Sequence, residues 1–152
     1  MELKIIPVVQ VLIAMALMTL LSIYFPTLNY SATYSDYLAI LLLFIALLLG
    51  FFAIYSFRKH KTTVNPSKPE TSSQVVNSGI YQYSRNPMYL AMLLGLLAYA
   101  CYLANPLTLG ICALFIFYIS KYQITPEERI LTELFGSEYS NYTLKVHVGY
   151  NT

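Results

Sequence analysis

The chain has 152 residues, of which 57% are apolar and only 11% are charged. A soluble domain carries about 25% charged residues, so this chain has too few charges to cover a water-facing surface. The apolar fraction excludes intrinsic disorder, the two cysteines exclude a secreted disulfide scaffold, and a net charge of +2 gives no support for nucleic-acid binding. The composition therefore predicts a small integral membrane protein.

Four apolar stretches are long enough to cross a bilayer, which takes about 20 residues, with roughly 17 as the lower limit. They are residues 5–25, 37–57, 87–104 and 106–122. We expect the first to be a retained helix and not a cleaved signal peptide, because its apolar run continues well past the small residues Ala14 and Ala16. The predicted fold class is all-α: one integral membrane domain over residues 1–152, with four transmembrane helices.

The third and fourth stretches are predicted to form a tight helical hairpin. Only Asn105-Pro106 separates them, and Asn favours the position that caps a helix while Pro favours the first helical position. A connection of one or two residues makes the two helices antiparallel neighbours. Within the hairpin, Cys101 and Cys112 are expected to be packed side chains, with a redox pair as the alternative. No acid or His accompanies them, so no metal site is expected.

The basic residues predict the orientation. With four spans, all nine Lys and Arg residues fall on the side of the two termini, and residues 26–36 on the other side contain none. The positive-inside rule makes the basic side cytoplasmic. We therefore expect a multi-pass protein of the cell (inner) membrane with both termini in the cytoplasm and a cytoplasmic cap of residues 58–86 and 123–152. The nine basic residues are Lys4, Arg58, Lys59, Lys61, Lys68, Arg85, Lys121, Arg129 and Lys145.

The first part of this cap leads into the third helix. Residues 62–78 are predicted to be an irregular loop, and Gly79 allows a turn that other residues resist. Asn86 is expected to cap the helix that Pro87 begins. The free N–H groups at a helix N-terminus suit an anionic ligand, and Arg85 beside them can bind a carboxylate through two hydrogen bonds.

The second part of the cap is predicted to contain two short amphipathic helices. Thr125 and Glu128 fit a capping box that would begin the first of them, and Gly136 would end it. Tyr139 and Tyr142 then recur on one face of a second helix, which we expect to lie on the membrane surface.

These cap motifs, in this order and spacing, resemble the isoprenylcysteine carboxyl methyltransferase and phospholipid methyltransferase group of membrane enzymes. The resemblance covers about residues 64–147. One departure is that eukaryotic members usually have Arg-His-Pro, whereas this chain has the form found in small bacterial members. The acceptor therefore stays open between a prenylcysteine, a phospholipid amine and another lipid. The matching residues are Gly79-Ile80-Tyr81, Ser84-Arg85-Asn86-Pro87-Met88-Tyr89-Leu90, Pro126-Glu127-Glu128, Leu131, Phe135-Gly136, Tyr139 and Tyr142.

The resemblance implies S-adenosylmethionine as methyl donor, and a lipid-like acceptor that enters from the inner leaflet among membrane lipids. Glu127 or Glu128 would take the ammonium group of the donor and Arg85 its carboxylate. Asn86 would bond its adenine or a hydroxyl, and the backbone of residues 75–79 would form the adenine wall. The implied cofactor site consists of Val76, Gly79, Tyr81, Arg85, Asn86, Pro87, Tyr89, Glu127, Glu128, Tyr139 and Tyr142.

The implied catalytic residues are Arg85, Glu128 and Arg129, with Glu128 or Arg129 near the acceptor. Two other functions stay open at this point. A membrane reductase of the sterol-reductase type shares a similar C-terminal pattern and would bind NADPH, although this chain has no glycine-rich dinucleotide fingerprint. A non-catalytic membrane scaffold would need the polar residues only as head-group anchors. Cofactor binding separates the three functions.

Overall fold

The computed structural model of the protein describes residues 6–30, 33–60, 70 and 72–146. Lys4, Lys61 and Lys68, the start of the first predicted span and most of the predicted loop over residues 62–78 lie outside these ranges. The described residues form six α-helices, with 3₁₀ turns at Pro26–Leu28 and Gly79–Gln82. The helices are α1 (Pro7–Tyr24), α2 (Thr33–Lys59), α3 (Pro87–Leu103), α4 (Leu107–Ile119), α5 (Thr125–Phe135) and α6 (Ser137–Lys145).

Three helices are long and apolar enough to cross a membrane: Pro7–Tyr24, Tyr34–Lys59 and Leu107–Phe135. The helix α3 is also apolar, but it has 17 residues, or about 25 Å at 1.5 Å per residue, slightly less than the hydrocarbon thickness of about 30 Å. The prediction of an all-helical membrane protein is confirmed, while the count of four spans stays a prediction.

The helix α3 lies at the centre and packs against α1, α2 and α4. No residue between Pro87 and Cys101 is exposed. On one side, a cluster of buried apolar side chains from α1, α3 and α4 includes Met18, Leu96 and Phe115. Because α3 is enclosed on all sides, side chains at its two ends are held by three neighbouring helices.

The helix α2 contacts α3 along a narrow stripe of small residues. Ala39, Ala46 and Ala53 are buried at intervals of seven residues, and a Cβ atom added to Gly50 would lie 3.8 Å from the Cβ of Ala91. Small residues let two helices approach closely in a membrane, and a seven-residue repeat is typical of left-handed helix packing. The remaining surface of α2 presents large apolar side chains outward, as expected of a helix that faces lipid.

Three residues connect α3 to α4 at one end of the molecule. Ala104 ends α3 in a left-handed conformation, with φ 47°. Asn105 then accepts a hydrogen bond from the N–H of Leu107 at 3.0 Å. Its Nδ2 donates to the carbonyl oxygen of Phe25 at 3.2 Å and to Oδ1 of Asn29 at 2.6 Å. These bonds tie the hairpin to the connection between α1 and α2.

The predicted capping box at Thr125 is wrong. The chain continues from α4 through one π-helical turn, Ser120–Ile124, directly into α5. Thr125 has helical angles, φ −59° and ψ −47°, and its Oγ1 donates to the carbonyl oxygen of Ser120 at 2.9 Å. Because the preceding residues stay helical, there is no non-helical position from which Thr125 can cap. Glu128 therefore makes a tertiary contact instead of a cap.

The helices α5 and α6 fold back onto the segment that precedes α3. Gly136, with φ +52°, ends α5, and α6 begins at the next residue. Tyr139 and Tyr142 pack with Val75 and Val146, and side chains of α5 pack against this cluster. The apolar face of α6, which was expected to lie on the membrane, is thus buried inside the protein.

Candidate functional site

Two polar contacts connect α5 to the beginning of α3. Arg85 Nη1 lies 3.0 Å from Glu128 Oε1, in an ion pair whose side chains are largely buried. The hydroxyl of Tyr89 donates to Glu127 Oε2 at 2.8 Å. Arg85 lies two residues before α3 and Tyr89 lies in its first turn, so both are at the N-terminal end of this helix. Both adjacent acids of α5 therefore face the same end of α3.

Three buried tyrosines surround these contacts. The hydroxyl of Tyr142 donates to the carbonyl oxygen of Tyr81 at 2.7 Å, which joins α6 to the Gly79–Gln82 turn. The rings of Tyr139 and Tyr142 have centroids 6.0 Å apart, and the ring of Tyr81 meets Phe57 of α2 edge-on at 5.2 Å. The Gly79–Gln82 turn is thereby connected to both α2 and α6.

The tyrosines share an electrostatic environment with the acids. Burial raises the pKa of Tyr81, Tyr139 and Tyr142 far above the usual range. The carboxylate of Glu127 raises the pKa of Tyr81 further, and that of Glu128 raises the pKa of Tyr139. All three phenols therefore stay neutral at physiological pH and can act as hydrogen-bond donors. We call Tyr81, Arg85, Tyr89, Glu127, Glu128, Tyr139 and Tyr142 the acid–tyrosine cluster.

Glu127 lies beyond the apolar part of its helix. Leu107–Phe135 has 29 residues, or about 43 Å, which exceeds the hydrocarbon thickness of about 30 Å, and its acids lie near the C-terminal end. Burial by protein raises the pKa of Glu127 to about 7, with a smaller increase from Glu128 and a decrease from the hydrogen bond of Tyr89. Glu127 is thus about half ionised near neutral pH.

Asn86 does not cap α3 with its side chain, which corrects the expectation above. Its backbone angles, φ −131° and ψ 55°, differ from the extended conformation that a capping residue adopts, and no side-chain capping bond forms. The residue is 9% exposed, and within the described part of the chain its Nδ2 has no hydrogen-bond partner. A buried donor without a partner costs about 1–3 kcal/mol, so this amide is a candidate for contact with a ligand.

Other predicted site residues lie around the cluster and not within it. Arg129 is exposed, because one further residue along α5 turns its side chain away by about 100°. Gly79, with φ +64°, faces α2, since an added Cβ atom would lie 3.0 Å from Ser56 Oγ. Val76 packs with Ala53 of α2 and with Tyr81. Pro87 is fully buried as the first residue of α3.

A cavity of about 530 Å³ adjoins the cluster at Tyr142. Its volume is within the range of about 300–1,000 Å³ that is usual for small-molecule sites. Its polar lining could not be predicted, because isolated Asn, Gln and Lys residues on a short helix resemble an ordinary solvated face. The lining residues that the sequence reading missed are Asn77, Gln82, Glu138, Asn141 and Lys145.

A comparison with protein families shows which family the chain belongs to. A family model for phospholipid methyltransferase matches residues 34–138, more than half of the chain. The chain belongs to the phospholipid methyltransferase family. The match begins in α2 and ends in α6, so it includes Arg85, Glu127 and Glu128 but not Tyr139 or Tyr142. The predicted resemblance is confirmed.

Individual relatives agree with this assignment. The chain is 38% identical over 86 residues to protein-S-isoprenylcysteine O-methyltransferase of Saccharomyces cerevisiae, which covers 55% of this chain and 35% of the yeast protein. It is 31% identical over 80 residues to a probable protein-S-isoprenylcysteine O-methyltransferase of Oryza sativa subsp. japonica, which covers 53% of this chain and 42% of that protein.

A third relative is an uncharacterized protein of Haemophilus influenzae, 47% identical over 60 residues, which covers 39% of this chain and 94% of that protein. The chain spans well under half the length of the two methyltransferases that it matches. No solved structure matches the chain.

Proposed function

We propose that the protein is a membrane methyltransferase that binds S-adenosylmethionine at the acid–tyrosine cluster and methylates a lipid-like acceptor at the cytoplasmic face. The observation that carries the proposal is the pairing of Arg85 with Glu128 beside Glu127, a partly buried acid whose pKa is raised by its surroundings. Opposite charges held side by side, and enclosed by aromatic rings, suit a small ligand that itself carries both charges.

The cluster fits the amino-acid end of S-adenosylmethionine, which has an ammonium group and a carboxylate. Arg85 can hold the carboxylate through two parallel hydrogen bonds, and Glu127 or Glu128 can hold the ammonium. Without a ligand, Arg85 and Glu128 neutralise each other at 3.0 Å. If Glu128 takes the ammonium, ligand binding exchanges this one ion pair for two.

The adenosine end is matched by groups next to the cluster. The Nδ2 atom of Asn86 is buried and without a partner, so it can donate to adenine or to a ribose hydroxyl. The backbone of residues 75–79 is proposed as the adenine wall. The cavity at Tyr142 provides about 530 Å³ beside this wall.

The four tyrosines of the cluster are proposed to face the sulfonium group, since aromatic rings attract cations. When bound, S-adenosylmethionine supplies a methyl group activated by its positively charged sulfur. The chain contributes alignment of the two reactants and exclusion of water, more than acid–base catalysis. An amine acceptor must lose a proton, whereas a carboxylate acceptor needs no base.

The acceptor is proposed to enter from the inner leaflet among membrane lipids. Arg129 is exposed on α5 close to the cluster, and with Glu128 it is proposed to lie near the acceptor head group. The yeast relative is an isoprenylcysteine methyltransferase and the family is that of phospholipid methyltransferases, which supports a lipid-like acceptor. The same relatives favour methyl transfer over an NADPH reductase or a scaffold.

The test is ligand binding by purified protein in nanodiscs, measured by calorimetry. We expect Glu127→Gln to weaken S-adenosylmethionine binding at least tenfold, because a buried ion pair loses its anionic partner. Glu133→Gln is the matched control, since Glu133 is exposed on the same helix. Equal affinity in both variants would contradict the site assignment. Binding of NADPH instead would support the reductase, and binding of neither would support the scaffold.

The acceptor is identified by incubating membranes with donor labelled in its methyl group and separating lipid, protein and small-molecule fractions. We expect the label in a lipid or lipid-modified fraction with the wild-type protein, and not with Arg85→Ala. Absence of label from every fraction would contradict the proposed activity even if the donor binds.

A further inference from the structure

A second cavity, of about 310 Å³, lies between the Gly79–Gln82 turn and the C-terminal end of α2. Tyr81 packs with Ala53 and Val76. Its neighbours Ile80 and Tyr83 line the second cavity. We call this cavity the α2 groove. It shares no lining residue with the cavity at Tyr142.

Specific contacts fix the width of the α2 groove. The ring of His60 connects α2 to the residue before the turn: Nδ1 lies 2.8 Å from the carbonyl oxygen of Ser56, and Nε2 lies 3.2 Å from Ser78 Oγ. Gly79 approaches Ser56 so closely that a Cβ atom would lie only 3.0 Å from its Oγ. The groove is therefore built by the fold and is not a gap between loosely packed side chains.

The lining changes from apolar to basic along one face of α2. Phe52, Tyr55 and Lys59 are three or four residues apart, which places them on the same side of the helix. Ile80 supplies the opposite apolar wall. Among the residues that the structure describes, no acid pairs with Lys59. An apolar wall that ends in an uncompensated cation matches an anionic amphiphile.

We propose that the α2 groove binds one anionic phospholipid of the surrounding bilayer. Its phosphate contacts Lys59, and the adjacent part of one acyl chain lies against Phe52 and Ile80. The volume is at the lower end of the range for ligand sites, so the groove holds part of a lipid and not a whole one. A lipid bound here supports the turn that carries Tyr81. This inference does not depend on the proposed methyl transfer.

The experiment measures lipid retention by native mass spectrometry after release from nanodiscs that contain phosphatidylglycerol and phosphatidylcholine, with no methyl donor present. We expect wild-type protein to retain one phosphatidylglycerol in preference to phosphatidylcholine. Lys59→Gln should reduce this preference about fivefold, the contribution of one basic residue near anionic lipid. Arg58→Gln is the matched control, because Arg58 is the neighbouring exposed cation and does not line the groove.

A third variant tests the apolar wall. Phe52→Ala should lower retention of the bound lipid severalfold, and circular dichroism verifies that the variant stays helical. Equal losses in Lys59→Gln and Arg58→Gln would overturn the proposal, because they would indicate diffuse attraction by surface charge. Equal retention of the two phospholipids by the wild type would overturn it as well, whether or not the protein binds S-adenosylmethionine.

Discussion

The two ends of α3 carry the same dipeptide in different environments. Asn105-Pro106 follows the helix, and Asn86-Pro87 begins it. Asn105 is 2% exposed and makes hydrogen bonds through both atoms of its amide. Asn86 is buried almost as completely, yet its Nδ2 has no partner. A buried donor without a partner needs an explanation, and at the Asn86 end the explanation offered is a ligand.

The surroundings of Asn105 and Asn86 also differ in whether they contain charged groups. Near Asn105, each polar contact is made between uncharged groups of the protein, which holds two connections together. Near Asn86, the structure places a cation, two acids and several phenols within one small region. The comparison teaches that the polar groups at the Asn105 end of α3 are satisfied by the protein, whereas the Asn86 end keeps a buried donor that we propose is satisfied by a ligand.

The largest effect is expected for Asn105→Ala, which should destabilise the protein by about 3 kcal/mol. The substitution removes three part-buried hydrogen bonds, which connect the hairpin to the residues between α1 and α2 and to the start of α4. Asn86→Ala should cost less than about 1 kcal/mol, because its Nδ2 has no bond to lose. Thermal unfolding in detergent compares the two variants. Equal losses of stability would remove the distinction between the two ends.

The second-largest expected effect is a pH dependence of ligand affinity, which concerns only the Asn86 end of α3. Between pH 6 and pH 7.5, S-adenosylmethionine affinity should rise about eightfold, because Glu127, with a pKa of about 7, becomes ionised and binds the ammonium group. The stability of the ligand-free protein should change in the opposite direction. Its free energy of unfolding should fall as the pH rises through 7, since the folded protein holds the proton of Glu127 more tightly than the unfolded chain.

Calorimetry across this pH interval makes the measurement, and Glu127→Gln provides the control. The residual affinity of that variant should be independent of pH. If the affinity of Glu127→Gln changed with pH as steeply as that of the wild type, another group would be titrating. Glu127 would then lose its proposed role.

The smallest effect is expected for ligand binding by Asn86→Ala. The loss of one hydrogen bond should weaken S-adenosylmethionine binding about fivefold. Asn86→His should recover most of the affinity, because a ring N–H can replace the amide donor and eukaryotic members usually have His at this position. Equilibrium binding measures both variants. An unchanged affinity in Asn86→Ala would exclude this amide from the ligand site.

Much of the fold could be predicted from the sequence because apolar length is a direct signal. The helices α1, α2 and α3 lie within a few residues of the predicted spans. The first cap helix was predicted from Thr125, Glu128 and Gly136, and the second from the spacing of Tyr139 and Tyr142. That spacing identified the apolar face correctly but could not tell whether protein or membrane covers it, because both bury the same side chains.

The capping predictions at Thr125 and Asn86 were wrong because competing local signals are present there. Thr125-Pro126 is typical of a helix start, yet the π-helical turn before it lets α4 continue into α5. Asn86-Pro87 and Asn105-Pro106 are identical as dipeptides, so the sequence assigned both the same capping role. Only the three-dimensional contacts distinguish them. Apart from Gly79, Ile80 and Tyr142, the residues that line the two cavities belong to no motif and could not be selected before the turn and α6 were placed.

The continuous helix formed by α4 and α5 connects the position of the acids to the membrane. One helical rod, Leu107–Phe135, extends from the bilayer to the two acids that contact Arg85 and Tyr89. Helices adjust to bilayer thickness by tilting, at a cost of only fractions of a kcal/mol per Å of hydrophobic mismatch. We expect a tilt of this continuous helix to move Glu127 and Glu128 relative to α3, so that ligand affinity would depend on the acyl-chain length of the host membrane.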